Sequence, residues 1–466
     1  MKNFTKLKFL TLTFLLMLIF SSEKSYAQLS GNFTIPGDYA NFTAAFNALN
    51  SLGVGPGGVT FRVDAGSVFN ENPPELTATG TAGNPIIFEK FGVGANPLIT
   101  PVAAGTITTT TLGNHADGII IINGGDYITF DGISLNGNAA LPDDATSKYE
   151  YGFYLKKASG DDAPKNIVIK NSVITLYHNT GATVGIGSGI FQSNISGTTT
   201  VTVTSTGGRS ENNKFFSNQF TGCYIGIQFR GFNATTPFDF YDQNCDAGVD
   251  GGNTISNYGG AGTTAYGVYS IYQNNLRIAN NTVTSLLSTG TLYGIFSSTG
   301  TNSNIDIYGN TVTINGGGTT STIYAINNAT GSTGTSNTVN IYNNIVENCT
   351  YATATSGAYY GVYNTASALT VNMYGNIIRN NTKPGTTGAM YLLYSSSTAV
   401  DGFANIYNNQ IYGNSNTAAT GDLFCLYSNE VTTSTKNVYG NSVYNNTGND
   451  DAVSYTHLTL PTKRIV

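Results

Sequence analysis

Few residues of this chain have the types and spacing that chemistry needs. Asp242, Asn244 and Asp246 stand at i, i+2 and i+4 in the acidic stretch Asp239–Asp250. That is the spacing of an oxygen-ligand calcium loop, and Ca2+ is the one cofactor it suggests. Ala247 occupies the place where such a loop wants glycine, and no glutamate follows six residues on, so a solvated acidic turn competes with the metal reading. Asp143-Asp144 and Asp161-Asp162 flank the segment Tyr151–Lys156 and could face one groove. Acidic pairs serve turns more often than acid–base catalysis. His115 and His178 are the only histidines before the last stretch of chain, and each reads as a structural residue. Tyr308, Tyr342, Tyr374, Tyr407 and Tyr439 recur on one side of an alternating segment, opposite the Ile and Val that would fill a core. They predict an outward aromatic column, able to stack sugar rings or to stack on itself. Of the four cysteines, Cys223 and Cys245 could pair, whereas Cys349 and Cys425 read as space fillers.

The elements that must position these residues are announced by a repeated phrase. Ile305-Asp306-Ile307-Tyr308-Gly309-Asn310-Thr311-Val312 returns as Val339–Val346, Val371–Ile378, Ala404–Ile411 and Lys436–Val443, with an earlier copy at Leu276–Val283. Looser versions surround Asn171, Asn218 and Asn253. The aligned Asn281, Asn310, Asn344, Asn376, Asn409 and Asn441 are 29, 34, 32, 33 and 32 residues apart, a period that demands a repeat architecture. Each phrase alternates apolar and polar residues as a half-buried strand does. A second strand follows in every repeat, as in Tyr266–Tyr269, Tyr293–Phe296, Tyr360–Tyr363 and Phe424–Tyr427. Two short strands per period leave no room for a helix and exclude leucine-rich and helical solenoids. The prediction is an all-β parallel β-helix of about 13 coils, about 60 Å long, with equivalent residues stacked at about 4.8 Å. The recurring Asn would turn one strand into the next with left-handed torsions and pass an amide hydrogen bond to its counterpart one coil away. Phe42, Ala45, Phe46, Leu49 and Leu52 fall at helical spacing before Gly53, a short capping helix for the first coil.

Composition narrows the function. Charged residues are 10% of the chain and apolar residues 40%, with 56 Gly, 30 Tyr and no Trp. This vocabulary of strands and turns excludes a helical bundle and a charge-solvated disordered chain. The formal charge of −6 argues against a nucleic-acid partner held by phosphate neutralisation. Lys2, Lys6 and Lys8 precede the apolar run Phe9–Phe20, and Ser25-Tyr26-Ala27 suits a signal peptidase, so residues 1–27 read as a leader cleaved before Gln28. The run is too short to span a bilayer, and no later segment qualifies as a transmembrane span. Residues 28–58 form the cap segment and 59–453 the β-helix. Residues 454–466 abandon the preceding vocabulary, and Ser454–Thr462 reads as a translated sequencing adapter foreign to the protein.

Ile35-Pro36-Gly37-Asp38-Tyr39, the Ala-rich helix, the strand Val59-Thr60-Phe61, the turn Gly66 to Glu71 and the strand Asn84-Pro85-Ile86 follow in an order of their own. This order resembles the N-terminal coils of right-handed parallel β-helix proteins of the pectin-lyase-like superfamily, over about residues 30 to 453. The leader and composition are similar to those of secreted Bacteroidota proteins. The resemblance implies a right-handed solenoid and leaves activity open, since that superfamily holds lyases, hydrolases, esterases and non-catalytic surface proteins. Its polygalacturonase-like enzymes carry Gly-His-Gly, Asn-Thr-Asp and Arg-Ile-Lys motifs, and Arg277-Ile278-Ala279 lacks the Lys. The leading expectation is an exported, secreted or cell-surface β-helix protein, non-catalytic or glycan-binding and adhesive. Its partner would be an extracellular polysaccharide or cell-surface glycan. The alternative is a polysaccharide lyase or another carbohydrate-active enzyme using Asp residues between 143 and 250.

Overall fold

A computed structural model describes residues 27–102, 117–141, 149–178, 187–196, 199–260, 264–332, 334–397, 399–431 and 433–449. The leader up to Tyr26, His115, Asp143, Asp144 and the adapter-like segment 454–466 lie outside the described residues. The chain winds into a right-handed parallel β-helix walled by three sheets of 13, 12 and 10 strands, here sheets A, B and C. One full coil runs through Leu292–Ser297 in sheet C, Ile305–Tyr308 in sheet A and Thr311–Thr313 in sheet B, and returns to sheet C at Ile323–Asn328. Each strand pairs in parallel with its counterparts one coil away, so Ile307 faces Ile341 and Tyr308 faces Tyr342.

The coil therefore has three strands where the sequence suggested two. The repeated phrase is two strands, broken by a corner between the Tyr and the aligned Asn. The aligned Asn was expected to take the left-handed torsion, and the structure corrects this by one position. The bend falls on Asn280, Gly309, Asn343, Gly375, Asn408 and Gly440, with φ between 53° and 65°. Asn and Gly alternate there for a steric reason. A Cβ at Gly375 would lie 2.2 Å from Asn343 Oδ1, and one at Gly440 2.3 Å from Asn408 Oδ1. An Asn on one coil thus requires Gly on the next, and the phrase alternates between Tyr-Asn-Asn and Tyr-Gly-Asn accordingly.

The aligned Asn is freed for the interior. Asn281, Asn310, Asn344, Asn376 and Asn409 are fully buried in single file. Each donates from Nδ2 to the next Oδ1, at 2.9 Å from Asn310 to Asn344 and 3.0 Å from Asn344 to Asn376. The same Oδ1 accepts a backbone N–H of the coil before, as Asn344 does from Asn310 N at 3.1 Å. A second ladder at the B-to-C corner joins Asn381, Asn414 and Asn446 at 2.8 and 2.9 Å. Cys349 holds the same slot one coil earlier, where its thiol accepts Ile314 N and its N–H donates to Asn381 Oδ1. Cys349→Asn would add a rung. Its Nδ2 would reach Asn381 Oδ1 and the Val312 carbonyl that now meets the thiol at 3.8 Å. We expect this variant to stabilise the rod by about 1 kcal/mol, seen as a higher unfolding midpoint; a lower midpoint would show that the slot cannot take the amide.

The helix Phe42–Leu52 closes the first coils, burying Phe42, Ala45, Phe46 and Leu49. Asn41 caps it through Ala44 N, and the Gly53 N–H bonds Leu49 O. The carboxylate of Glu71, at the end of the Gly66 turn, accepts Phe42 N at 3.0 Å and Thr43 N at 2.8 Å, countering the positive end of the helix. Phe42 and Phe46 pack on Phe88, which stacks on Phe61 and Phe130 at 4.7 and 5.0 Å. Later coils fill the interior with Ile278, Ile307, Ile341, Met373 and Ile406 instead.

Candidate functional site

Because sheet strands point successive side chains to opposite sides, the residues beside the buried Ile column face outward on sheet A. Tyr308, Tyr342, Tyr374, Tyr407 and Tyr439 stack there with centroids 4.8, 4.8, 4.8 and 5.1 Å apart and planes within 3–7°. The column the sequence predicted therefore forms, and its first four rings are half-buried while Tyr439, on the last coil, is 52% exposed. Rings this close and parallel cover much of each other's faces, leaving edges and hydroxyls for a ligand. An amide row runs beside them, with Asn340 donating to Asp306, Asn372 to Asn340, Asn405 to Asn372 and Asn437 to Asn405 at 2.7–2.8 Å.

Sheet C carries a larger aromatic surface. One outward column runs Tyr266, Tyr293, Tyr324, Tyr360, Tyr391 and Phe424, with centroids 4.6–5.1 Å apart. A second runs beside it through Tyr269, Phe296, Tyr363, Tyr394 and Tyr427, interrupted by Asn327. Neighbours across the columns tilt against each other, by 50° at Tyr360–Tyr363 and 85° at Tyr391–Tyr394, so ring faces point in more than one direction. In earlier coils the same face is roofed. Tyr151, Tyr154 and Phe191 are 0–1% exposed, and the Tyr154 hydroxyl donates to the Ile195 carbonyl in the hairpin above them. Beyond Tyr269 the rings are half-buried and face outward. Burial pushes the phenols of Tyr293 and Tyr363 up to about 12, with neighbouring tyrosines adding to the rise, and burial does the same at Tyr342. These hydroxyls stay neutral donors at physiological pH. The sequence had marked these tyrosines as strand residues only; their recurrence three apart in repeat after repeat was the available signal.

Asp242, Asn244 and Asp246 do not form one ligand set. Asp242 is fully buried, with Oδ1 2.8 Å from Lys157 Nζ and 2.8 Å from Ser210 N, and Oδ2 2.9 Å from Gln192 Nε2. Asp246 faces the other way and takes Arg277 Nε and Nη2 at 2.6 Å each. Asn244 sits between them at a left-handed bend, donating to Glu211 and accepting from Asn275. In an unbroken strand i, i+2 and i+4 would share a face; the left-handed bend at Asn244 separates them here. Among the described residues no group of three or more His, Cys, Asp or Glu could hold a metal ion.

The other candidates have structural places. His178 is buried, with Nε2 2.7 Å from the Tyr149 carbonyl. Asp161 and Asp162 close a tight turn against Ser159. All four cysteines are free, which corrects the suggested Cys223–Cys245 pair, and burial pushes both thiols up to about 12.

Burial also lifts a carboxyl of the C-to-A turn above the usual carboxylate range. Asp126 lies in the C-to-A turn, accepts Lys165 N at 2.8 Å and donates its own N–H to Thr79 Oγ1 at 3.1 Å. Burial raises its pKa to about 6; the Lys165 backbone bond and charge oppose the rise and Asp162 adds to it. An unfolded Asp titrates at about 3.9, so between these values the folded state binds more protons and gains stability as pH falls. We expect wild type to gain stability from pH 7 to pH 5 relative to Asp126→Asn, read as the difference in melting temperature at each pH. Parallel curves would remove Asp126 as the source.

The fold and its outward ring columns define a right-handed parallel β-helix with two aromatic faces. No family model and no curated protein matches the chain. Among solved structures it is similar to the Streptococcus pneumoniae surface protein and adhesin PfbA, at 13% identity and a TM-score of 0.40 over 90% of this chain and 100% of that one. It is similar also to the periplasmic alginate epimerase AlgG, at 10% identity and 0.39 over 88% and 84%. A third is the A-module of the Azotobacter vinelandii mannuronan C-5 epimerase AlgE6, at 14% and 0.38 over 87% and 92%.

Proposed function

We propose that the protein is an exported, non-catalytic, carbohydrate-binding rod that works at the cell surface or outside the cell. The observation that carries this reading is the contrast along sheet C: Tyr151, Tyr154 and Phe191 are roofed in the early coils, and after a gap at Ser188, Ile225 and Gln228 the same two positions carry outward-facing, half-buried rings in the later ones. Covered rings serve a core, whereas a long outward file of neutral ring edges and hydroxyls, tilted against a second file beside it, suits the hydroxyl rims and apolar patches of sugars. Export rests on the leader-like start of the sequence. No helix among the described residues is long and apolar enough to cross a membrane.

The test is titration calorimetry of wild type against a panel of neutral and acidic polysaccharides, repeated with Tyr324→Ala/Tyr360→Ala/Tyr391→Ala. Wild type should bind at least one polysaccharide and the triple variant at least about tenfold more weakly, since each ring contact is worth about 1 kcal/mol. Absence of binding across the panel, or a triple variant that binds as well as wild type, would overturn the reading. Unsaturated, ultraviolet-absorbing products released from a polyuronate would overturn its non-catalytic half and favour a lyase.

A further inference from the structure

The outer face of sheet A is broken at one rung. Where later coils carry Asn in the amide row and Tyr in the ring column, the strand Leu276–Ala279 carries Arg277 and Ala279, which pair with Asp306 and Tyr308 of the next coil. A cleft of about 160 Å³ opens there, lined by Asn244, Asn275, Arg277, Asn304 and Asp306 together with the chain at Leu276 and Ile305. A space of this size holds a few waters and suits one small ring rather than a chain segment.

The lining groups have hydrogen-bonding capacity left among the described residues. Arg277 spends Nε and Nη2 on Asp246, leaving the two N–H groups of Nη1. Asp306 accepts from Asn340 on Oδ1 at 2.7 Å, leaving Oδ2. Asn275 donates to Asn244 Oδ1 at 3.1 Å, leaving its own Oδ1. Donors and acceptors side by side match adjacent sugar hydroxyls, each of which both gives and takes a hydrogen bond. The charge is equally informative. Asp246 balances Arg277, and Asp306, opposite Arg277 on the next coil, forms no ion pair among the described residues and adds one negative charge, so the cleft carries a net negative charge that disfavours a carboxylate or phosphate.

We propose that this cleft is a subsite for one neutral monosaccharide unit, placed at the head of the tyrosine ladder of sheet A. Asp306 Oδ2 accepts from a hydroxyl and Arg277 Nη1 donates to its neighbour. The proposal rests on the carbohydrate-binding reading and adds to it a location and a preference for uncharged sugar.

Asp306→Asn tests it without endangering the fold, because it makes this rung like Asn340, Asn372 and Asn405. Saturation-transfer NMR titrations would follow methyl glucoside, methyl galactoside, methyl mannoside and methyl glucuronide on wild type and variant. The expected result is a neutral glycoside bound by wild type at least fivefold more tightly than the glucuronide. In Asp306→Asn the neutral glycoside should weaken about tenfold and the discrimination should shrink, because the repelling charge has gone. Wild type that binds polysaccharide while Asp306→Asn leaves glycoside affinities and discrimination unchanged overturns the subsite alone. Wild type that binds no polysaccharide and no glycoside overturns the carbohydrate-binding reading and the subsite with it.

Discussion

Asn344→Ala is expected to cost about 3–5 kcal/mol, far more than removal of any amide on the outer wall. The side chain is fully buried and serves three neighbours at once. Its Oδ1 takes Asn310 N at 3.1 Å and Asn310 Nδ2 at 2.9 Å, and its Nδ2 gives to Ile307 O at 2.9 Å and to Asn376 Oδ1 at 3.0 Å. Truncation leaves those two donors inside the cylinder without this partner and takes one bond from each of the two acceptors, with each unmet group costing about 1–3 kcal/mol before any water enters. Asn340→Ala, a few residues away in the outward row, removes the bonds from Asn340 Nδ2 to Asp306 and from Asn372 Nδ2 to Asn340 Oδ1, both of which solvent can replace, and should cost under about 1 kcal/mol. Denaturant unfolding of the two variants gives the comparison, and hydrogen exchange should place the added opening in the coils around Asn344, since solenoid coils couple to their neighbours. Equal costs for the two variants would mean that the interior ladder is not what holds successive coils together.

The period was legible because one architecture asks for the same residue at the same place again and again. Asn310, Asn344 and Asn376 recur because an amide that both donates and accepts can hand a hydrogen bond to its own copy. The corner itself was less legible. Asn343 and Gly375 look like a variable position, and their alternation makes sense only once Asn343 Oδ1 is seen against the Gly375 backbone. The third strand was hidden for a related reason: a one-residue left-handed bend leaves the hydrophobic alternation of the phrase almost unbroken, so Tyr308 and Thr311 read as one strand. For the candidate site, the column of Tyr308 and its counterparts could be read from alternation alone. The cleft could not. Arg277 and Ala279 read as a weak copy of the repeat, and what a departure creates depends on Asn244 and Asn304, which come from coils on either side. The acidic run was misleading in the same way, because spacing along the chain does not say that a bend commits Asp242 to Lys157 and Asp246 to Arg277 on opposite sides.

Asp242→Ala should be the most damaging single change among the charged residues, costing at least about 3–5 kcal/mol and with it much of the soluble yield. Lys157 and Asp242 are both fully buried, 2.8 Å apart, and the carboxylate also takes the Ser210 N–H and a Gln192 N–H. Gln192 in turn accepts from Asn213 at 2.9 Å, so the pair ties together several coils where sheet C turns into sheet A. Removing the carboxylate strands an ammonium in the interior, and a buried charge without its partner is penalised far more than a buried pair is rewarded. The double variant Lys157→Met/Asp242→Leu removes both charges and fills the space with apolar groups, so it should be more stable than either Asp242→Ala or Lys157→Ala. Denaturant midpoints for wild type, the two singles and the double give the coupling directly; additive costs would show that the two side chains do not depend on each other. The same measurements address the calcium reading of Asp242, Asn244 and Asp246. With Asp242 committed to Lys157 and Asp246 to Arg277, added Ca2+ should leave the wild-type midpoint where a chelator leaves it, and a midpoint that rises with Ca2+ and falls with chelator would return these residues to a metal site.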